Sequence, residues 1–567
     1  MAFATPSQSS SAASSSASSS AAPAAPDYTR VVIDRTQARS VVMSSRGVVA
    51  SEHPLASQAG ASVLAAGGHA VDAAVAANAV MGVVAPMMNG IGGDLFAIVH
   101  DATRNELHGL NASGWAPSAL TPARVLGEGS ASMPQAGPHA VTVPGAVAGW
   151  AALHRRFGQM TLASVLAPAM AIAREGFPVS ELVADEWRGS VATLRASPSA
   201  GRTFLQDGEA PHAGALFRNP DLAHTYAQLA ATGRDAFYEG EIAARVVGAL
   251  TDLGGVMALA DLREFEAEWV APLSTTYRGW TVSELPPNGQ GFAALLMLNI
   301  LEHFDLRGSG HNSADALHAI VEAKKLAYAD MRRHLADPRV SAVPVEALLS
   351  KAYAGERAAS VDRWRACPEV RAGDVPVRGS DTTYLCAADR HGNIVSLIQS
   401  NFANFGSGIV PNGLGFALQN RGGLFTLDTS HPNVLAPRKR PLHTIIPGFM
   451  ERDGTRIAFG IMGGWNQAQA HAQFVSNVAD HGFNIQAALE AARVTKLSFD
   501  GCDVLVEARV PPEVRAQLEA RGHELVVHGA FSSLMGGGQS VMRDAAGVNH
   551  GASDPRKDGA AVPEPIV

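Results

Sequence analysis

Apolar positions recur at helical spacing through the first two-thirds of the chain and fall into shorter, strand-like blocks beyond residue 381. The Ala-rich stretches 57–66 and 70–83 predict two close-packed helices separated by Gly67-Gly68, with Pro86 ending the second. "MNGIGGDLFAIVHD" (88–101) predicts a glycine turn feeding an apolar strand. Its Gly90, Gly92 and Gly93 lack the dinucleotide-loop spacing and precede a strand, so tight backbone packing is expected. A strand, a Pro-Gly break and a helix are predicted over 139–158, and the same order over 285–304. Leu317, Ile320, Val321, Ala327, Met331 and Leu335 mark a helix behind a Ser313 cap, closed by Asp337-Pro338. Lys324, Lys325, Arg332 and Arg333 read as its solvated face.

The later blocks are "TTYLCAA", "NIVSLI", "GIVPNGLGFAL", "RIAFGIMGG" and "DVLVEAR", interleaved with helical stretches at 465–480 and 485–495. No internal repeat of fixed period occurs. The pattern predicts an α+β or layered α/β fold with substantial sheet.

Composition narrows the function classes. A chain of 567 residues, 47% hydrophobic, can fill one large core or two fused ones. A net charge of -8 leaves no electrostatic footprint for nucleic acid or an acidic membrane. Cys367, Cys386 and Cys502 are too few and too scattered for a disulfide framework or zinc site, and the 20 histidines show no metal spacing. No metal or organic cofactor is expected. Residues 1–26 are almost entirely Ala, Ser and Pro, which predicts a disordered tail rather than a signal peptide. His69, Asp72 and Asn78 interrupt the most apolar region, 60–88, so no membrane span is expected and a soluble, cytoplasmic protein is.

Thr382 and Thr383 head an apolar strand directly after Gly379, Ser380 and Asp381. Locally this is a turn followed by β-branched strand residues. "TTYLCAA" and "IVSLI" flank the five-residue loop Asp389–Asn393, a length suited to a hairpin. If Ala388 pairs with Ile394, an unbulged register sets Ser400 across from Thr382, where a shared hydrogen bond would orient the threonine as a nucleophile. A one-residue bulge would undo that alignment. GxSxG, HExxH and SxxK arrangements are all missing, so no His or carboxylate base is signalled. The remaining source of a base is the α-amine of Thr382 itself, freed by a cut before it and titrating near neutrality.

Beyond the hairpin, several motifs carry a resemblance. They are "GGHAVDAAVAANAVMGVVAPMMNGIGGDLFAIVHD", "VPGAVAGW" (143–150), "EAKKLAYADMRRHLADP" (322–338), "DTTYLCAADRHGNIVSLIQSN" (381–401), "FGSGIV" (405–410), "PRKRPLHTIIP" (437–447) and "MGGWNQ" (462–467). Through them the chain, beyond its tail, resembles the γ-glutamyltransferase family of self-processing N-terminal-nucleophile hydrolases. The resemblance implies a four-layer αββα sandwich and cleavage between Asp381 and Thr382. A large chain, 27–381, and a small chain, 382–567, would stay associated. It further implies Thr382 as the nucleophile of both autoprocessing and catalysis, Ser400 as its hydroxyl contact, and the Gly463 and Gly464 N–H groups as holders of the oxyanion. The acyl-enzyme would be resolved by water or an amine.

The family pattern fails at the substrate's glutamyl head. The arginine that grips the α-carboxylate falls on Ser113, a Ser-Ser pair on His443-Thr444, an acidic pair on Gly423-Leu424, and an asparagine on Phe402. Arg421 in "QNRGG", with His443 beside it, is the candidate replacement cation, weighed evenly against an ordinary surface salt bridge. Thr444, Ser113 and Asn401 complete the candidate substrate contacts. An acyl group bearing a carboxylate but no α-amine suits this pattern, which resembles the family's amidohydrolase branch of oxamate amidohydrolases and glutaryl-type cephalosporin acylases. The leading expectation is therefore a threonine amidohydrolase or acyltransferase acting on a small acid-bearing amide. A true γ-glutamyl transferase and glutathione hydrolase with a rebuilt pocket ranks second, and a non-enzymatic ligand-binding scaffold third. Oligomeric state is left open, a homo-oligomer included.

Overall fold

The computed structural model describes residues 37–370, 381–496, 498–499 and 501–566. The Ala/Ser/Pro tail at 1–26 lies outside the described residues.

Strands buried on both faces read as continuous apolar runs, because each alternate side chain meets a different layer. Along Asp381–Ala388, Leu385 and Ala387 face one core while Tyr384, Cys386 and Ala388 face another. Phe96 and Ile98 divide in the same way from Leu95, Ala97 and Val99. A fully buried leucine or phenylalanine contributes about 1.5–3 kcal/mol, so this double burial holds the layers in register.

Two seven-stranded antiparallel sheets result. The first runs in spatial order Ala560–Pro563, Val48–Ser51, Asp381–Ala388, Ile394–Phe402, Asp94–Asp101, Glu106–Ala112 and Glu268–Val270. The second runs Val42–Ser44, Asn549–Ser553, Gly538–Arg543, Thr455–Ile461, Gly448–Arg452, Trp280–Glu284 and Leu273–Tyr277. Tyr384, Phe96, Phe449, Ala458 and Val541 fill the space between them. Helices Pro54–Ala65, Ala70–Val84 and Ala146–Phe157 cover the outside of the first sheet, and Gly291–Leu301, Ala314–His334 and Gln467–Ala479 cover the second. This is the four-layer αββα sandwich. Among the described residues no helix is long and apolar enough to cross a membrane.

The two Ala-rich helices form as predicted, with Gly67 at φ +92° between them. Glycine at 92 and 93 serves close packing: a Cβ would stand 2.1 Å from the Ala417 carbonyl oxygen and 2.4 Å from that of Ser400. Three expectations fail. Residues 139–143 build no strand: Val143 N–H bonds to the Trp115 carbonyl, and Pro144 then has no N–H to extend a ladder. "GIVPNGLGFAL" is loop, since Gly408, Gly413 and Gly415 take positive φ around Pro411. The helix predicted over 485–495 stops at Glu490, and Val494–Thr495 joins a small sheet with Asp503–Glu507 and Glu524–His528.

The supposed solvated face of Ala314–His334 is also corrected. Lys324, Lys325 and Arg332 are buried, and only Arg333 of the four is exposed. Lys324 Nζ donates to the Ser498 carbonyl at 2.7 Å, Lys325 pairs with Glu322 at 2.7 Å, and Arg332 lies 4.4 Å from the Phe499 ring centroid. The helix is covered on more than one side: it packs on the second sheet's helices and on the small sheet with helix Pro512–Ala520.

Candidate active site

Ala388↔Ile394 through Thr383↔Gln399 form an unbroken ladder, and the register shifts only between Thr383 and Asp381, which pairs with Phe402. Thr382 sits at that shift. The bulge does not part the hydroxyls: Thr382 Oγ1 donates to Ser400 Oγ at 3.2 Å, and Ser400 Oγ accepts the Phe402 N–H at 2.8 Å. A second partner comes from the helix that follows the other sheet. Gln467 Nε2 reaches Thr382 Oγ1 at 3.5 Å while its Oε1 accepts the Ile446 N–H at 3.1 Å. Thr382, Ser400 and Gln467 are all fully buried. The Asp381 side chain lies outside the described residues.

The glycine pair arrives from the facing sheet. Strand Thr455–Ile461 passes so close that a Cβ on Gly460 would stand 2.3 Å from the Tyr384 ring. Beyond it the backbone turns at Gly463 (φ +133°) and Gly464 (φ +55°) into the turn Gly464–Asn466, a path that L side chains resist. The carbonyls are tied back: Gly463 accepts Asn466 N–H at 2.9 Å and Gly464 accepts Gln290 Nε2 at 2.8 Å. Among the described residues, neither the Gly463 nor the Gly464 N–H donates a hydrogen bond.

Behind Ser400 lies a charged cluster. Asp94 pairs with Ser400 across the ladder. Its Oδ1 accepts Gly114 N–H at 2.9 Å and Gln419 Nε2 at 3.1 Å, and its Oδ2 accepts His443 Nε2 at 3.0 Å. Arg421 is fully buried, which rules out a surface salt bridge. Its Nη1 donates to Thr444 Oγ1 at 2.7 Å, its guanidinium lies 4.4 Å from the Phe402 ring centroid, and its Nε and Nη2 donate to nothing among the described residues. Burial pulls Arg421 down to about 9, with Asp94 opposing. Burial pushes Asp94 up to about 7 against the pull of Arg421 and its donors. Burial, with the charges of Arg421 and Arg440, holds His443 well below the imidazole range. His443 is thus a neutral donor rather than a second cation: its Nδ1 accepts Ile445 N–H at 3.3 Å, which leaves the Nε2 proton for Asp94.

Two sequence candidates stand apart. Ser113 Oγ donates to Asn111 Oδ1 at 2.7 Å, and the Asn401 amide donates to the Pro86 carbonyl at 3.4 Å; neither contacts Arg421. Asp94, Gln419, Gln467 and Gln290 were not singled out. Asp94 and Gln467 lie inside the motifs "GIGGDLF" and "MGGWNQ", but only strand register and helix start reveal what they touch. Gln290 Nε2 bonds both the Thr444 and Gly464 carbonyls, at 2.5 and 2.8 Å, and so fastens the Arg421 side to the glycine turn.

One histidine cluster escaped the spacing argument because its members are distant in sequence. His318, Glu322 and His523 bring ligand atoms within 4.8 Å of one another. They bond to one another and to their neighbours: the histidines share a 2.8 Å hydrogen bond, and Lys325 holds Glu322, while His523 Nδ1 has no partner among the described residues.

Residues 56–564 match the family model described as gamma-glutamyltranspeptidase. The chain belongs to the gamma-glutamyltranspeptidase family. Within it, the protein is 38% identical over 528 residues to the glutathione hydrolase-like YwrD proenzyme of Bacillus subtilis (strain 168), covering 92% of this chain and 99% of that one. It is 35% identical over 529 residues to the oxamate amidohydrolase proenzyme of Klebsiella pneumoniae, covering 92% and 98%. The solved cephalosporin acylase from Bacillus halodurans superposes with a TM-score of 0.88 at 39% identity, covering 94% and 98%. Names of glutathione hydrolase, amidohydrolase and acylase converge on amide-bond hydrolysis, the reaction class these comparisons support for this member of the family.

Proposed function

We propose that this gamma-glutamyltranspeptidase family member is a self-processing threonine amidohydrolase or acyltransferase, acting on a small amide whose acyl part carries an acid group. The observation that carries the reading is the buried Thr382–Ser400 hydroxyl pair, reached from the other sheet's side by Gln467, which follows the Gly463-Gly464 turn. In the uncut chain the Thr382 nitrogen is the amide of Asp381 and cannot serve as a base. Thr382 Oγ adds to the Asp381 carbonyl, the C–N bond breaks as the nitrogen takes the hydroxyl proton, and water hydrolyses the resulting ester. The products are an Asp381 carboxylate and a free Thr382 amine.

The same hydroxyl then attacks the substrate's amide carbonyl while the amine takes its proton. The two glycine N–H groups receive the oxyanion, the leaving amine departs with the proton, and water or another amine resolves the acyl-enzyme. Arg421 receives the acid group of the acyl part through its Nε and Nη2 edge, since Thr444 already occupies Nη1. Ser113 in place of a cation argues against a zwitterionic glutamyl head, and the oxamate amidohydrolase and cephalosporin acylase likenesses point the same way. The large and small chains stay together, because each sheet is built of strands from both sides of residue 381.

The test is the intact mass of purified wild type beside Thr382→Ala, with the small fragment sequenced. Two chains in wild type alone, the smaller beginning Thr-Thr-Tyr, are expected. An uncut, inert wild type would leave only the scaffold.

A further inference from the structure

We infer that the outer edge of strand Glu524–His528 is a dimer interface, at which a second copy of this chain pairs antiparallel about a two-fold axis through Val526. The small sheet runs Val494–Thr495, Asp503–Glu507, Glu524–His528, so the third strand is its edge. It lies parallel to Asp503–Glu507, with Val504 against Leu525 and Val506 against Val527. Glu524 N–H donates to the Cys502 carbonyl at 2.8 Å, and the His528 carbonyl accepts Ala508 N–H at 3.0 Å. Backbone groups alternate between the two edges of a strand, so Glu524, Val526 and His528 bond inward while Leu525 and Val527 turn their N–H and C=O groups outward. Among the described residues no hydrogen bond reaches those outward groups.

Soluble proteins protect a free edge with lysine, proline, a bulge or a covering segment. The strand "ELVVH" has no lysine or proline, its register with Asp503–Glu507 is unbroken, and Val526 and Val527 are 49% and 47% exposed. Phe531 and Leu534, just beyond it, are exposed as well. Leu525 packs with Val504, Val506 and Leu518, so one face of the sheet is covered and the edge is what stays open.

The order of side chains selects the occupant. Turned about Val526, a second copy sets its Val527 against Leu525 and its His528 against Glu524, and the axis repeats both pairs. Leu525 and Val527, whose backbone groups point outward, form the hydrogen-bonded pairs. Glu524 and His528 form the non-hydrogen-bonded pair, in which Cα atoms approach to about 4.5 Å and side chains lie closest. Each carboxylate thus meets an imidazole, and neither side chain has another hydrogen bond or ion pair among the described residues. A parallel, in-register pairing would set Glu524 on Glu524, which like charge opposes. The edge lies wholly within the small chain, so this pairing does not depend on the cut before Thr382.

Sedimentation velocity of the full chain over a concentration series tests the interface. Wild type is expected as a dimer. Val527→Pro removes an outward N–H and no bond of its own sheet, and should leave a folded monomer. His528→Glu faces carboxylate with carboxylate and should raise the dimer's Kd about tenfold or more. Adding Glu524→His to that variant exchanges the two roles and should restore the wild-type Kd to within about threefold, a rescue that only antiparallel pairing about Val526 provides. Melting curves identify any variant that fails to fold, and the exchanged pair then decides alone. A wild type that stays monomeric up to about 100 µM overturns the inference. So does a dimer that a folded Val527→Pro leaves intact, or a double variant no tighter than His528→Glu. Slow hydrogen exchange of the Leu525 and Val527 amides in a monomeric wild type would assign the edge to another segment of the same chain instead.

Discussion

At the Thr382 end of the site every described partner is a neutral hydroxyl or amide, Ser400 and Gln467. One ladder partner further on, the Arg421 end is built of charge: a guanidinium, a carboxylate beside it and an imidazole kept neutral. Neutral donors fixed by backbone suit a step in which charge appears transiently on an oxyanion. A buried guanidinium with an unused edge suits a permanent charge on a ligand, since filling that edge removes an unsatisfied polar group. On the proposed reading, the contrast separates the groups that carry out the reaction from those that choose what reacts.

Mutations should respect that division, and the largest effect is expected at Thr382. Thr382→Ala should leave a single uncut chain with no measurable turnover, read by intact mass and product chromatography. Gly463→Ala, which places a side chain at φ +133°, should cut kcat by about 10²–10³ for every substrate alike. Arg421→Lys should divide substrates instead. kcat/KM for an amide with a terminal carboxylate should fall roughly 10²-fold through loss of the bidentate fork, while a matched neutral amide changes less than about 3-fold. Equal losses on both would erase the proposed distinction.

The smallest expected effect is one of pH. Asp94 is raised to about 7 by burial, so between the ordinary carboxylate range and about 7 the folded protein holds a proton that the unfolded chain has released. That contribution to stability is present at low pH and is lost as pH rises through 7. The same ionisation offsets the charge of Arg421, so KM for an acid-bearing amide should rise above pH 7. Melting curves and KM measured from pH 5 to 9, with Asp94→Asn flattening the KM trend, check both signs.

How much of this was legible in the sequence differs between the two ends. The Thr382–Ser400 contact could be read because loop length fixes hairpin register, a local rule that holds as far as Thr383↔Gln399 and gives way at Thr382, where the two hydroxyls still meet. The motif resemblance supplied the glycine pair and the layered fold. Arg421 could be flagged, but its surroundings could not: His443 and Asp94 are 349 residues apart in sequence and meet only through the packed sheets. Asn401 and Asp94 lay in equally prominent motifs, and strand alternation turned one toward Pro86 and the other toward the cluster. Lys324 and Lys325 misled because helical periodicity assumes one buried face, whereas Ala314–His334 is covered on more than one.

The order of strands in the first sheet has a consequence for the life of the molecule. Val48–Ser51 lies between Ala560–Pro563 and Asp381–Ala388, and Asp94–Asp101 lies against Ile394–Phe402, so strands from before and after the cut are interleaved, and a cut before Thr382 removes one covalent link and no ladder. Unfolding such a cut protein would release two partial chains, each holding incomplete sheets, and recovery would become a bimolecular search. The mature form would then persist by the slowness of its unfolding rather than by reversible equilibrium, and only the intact chain would ever fold efficiently.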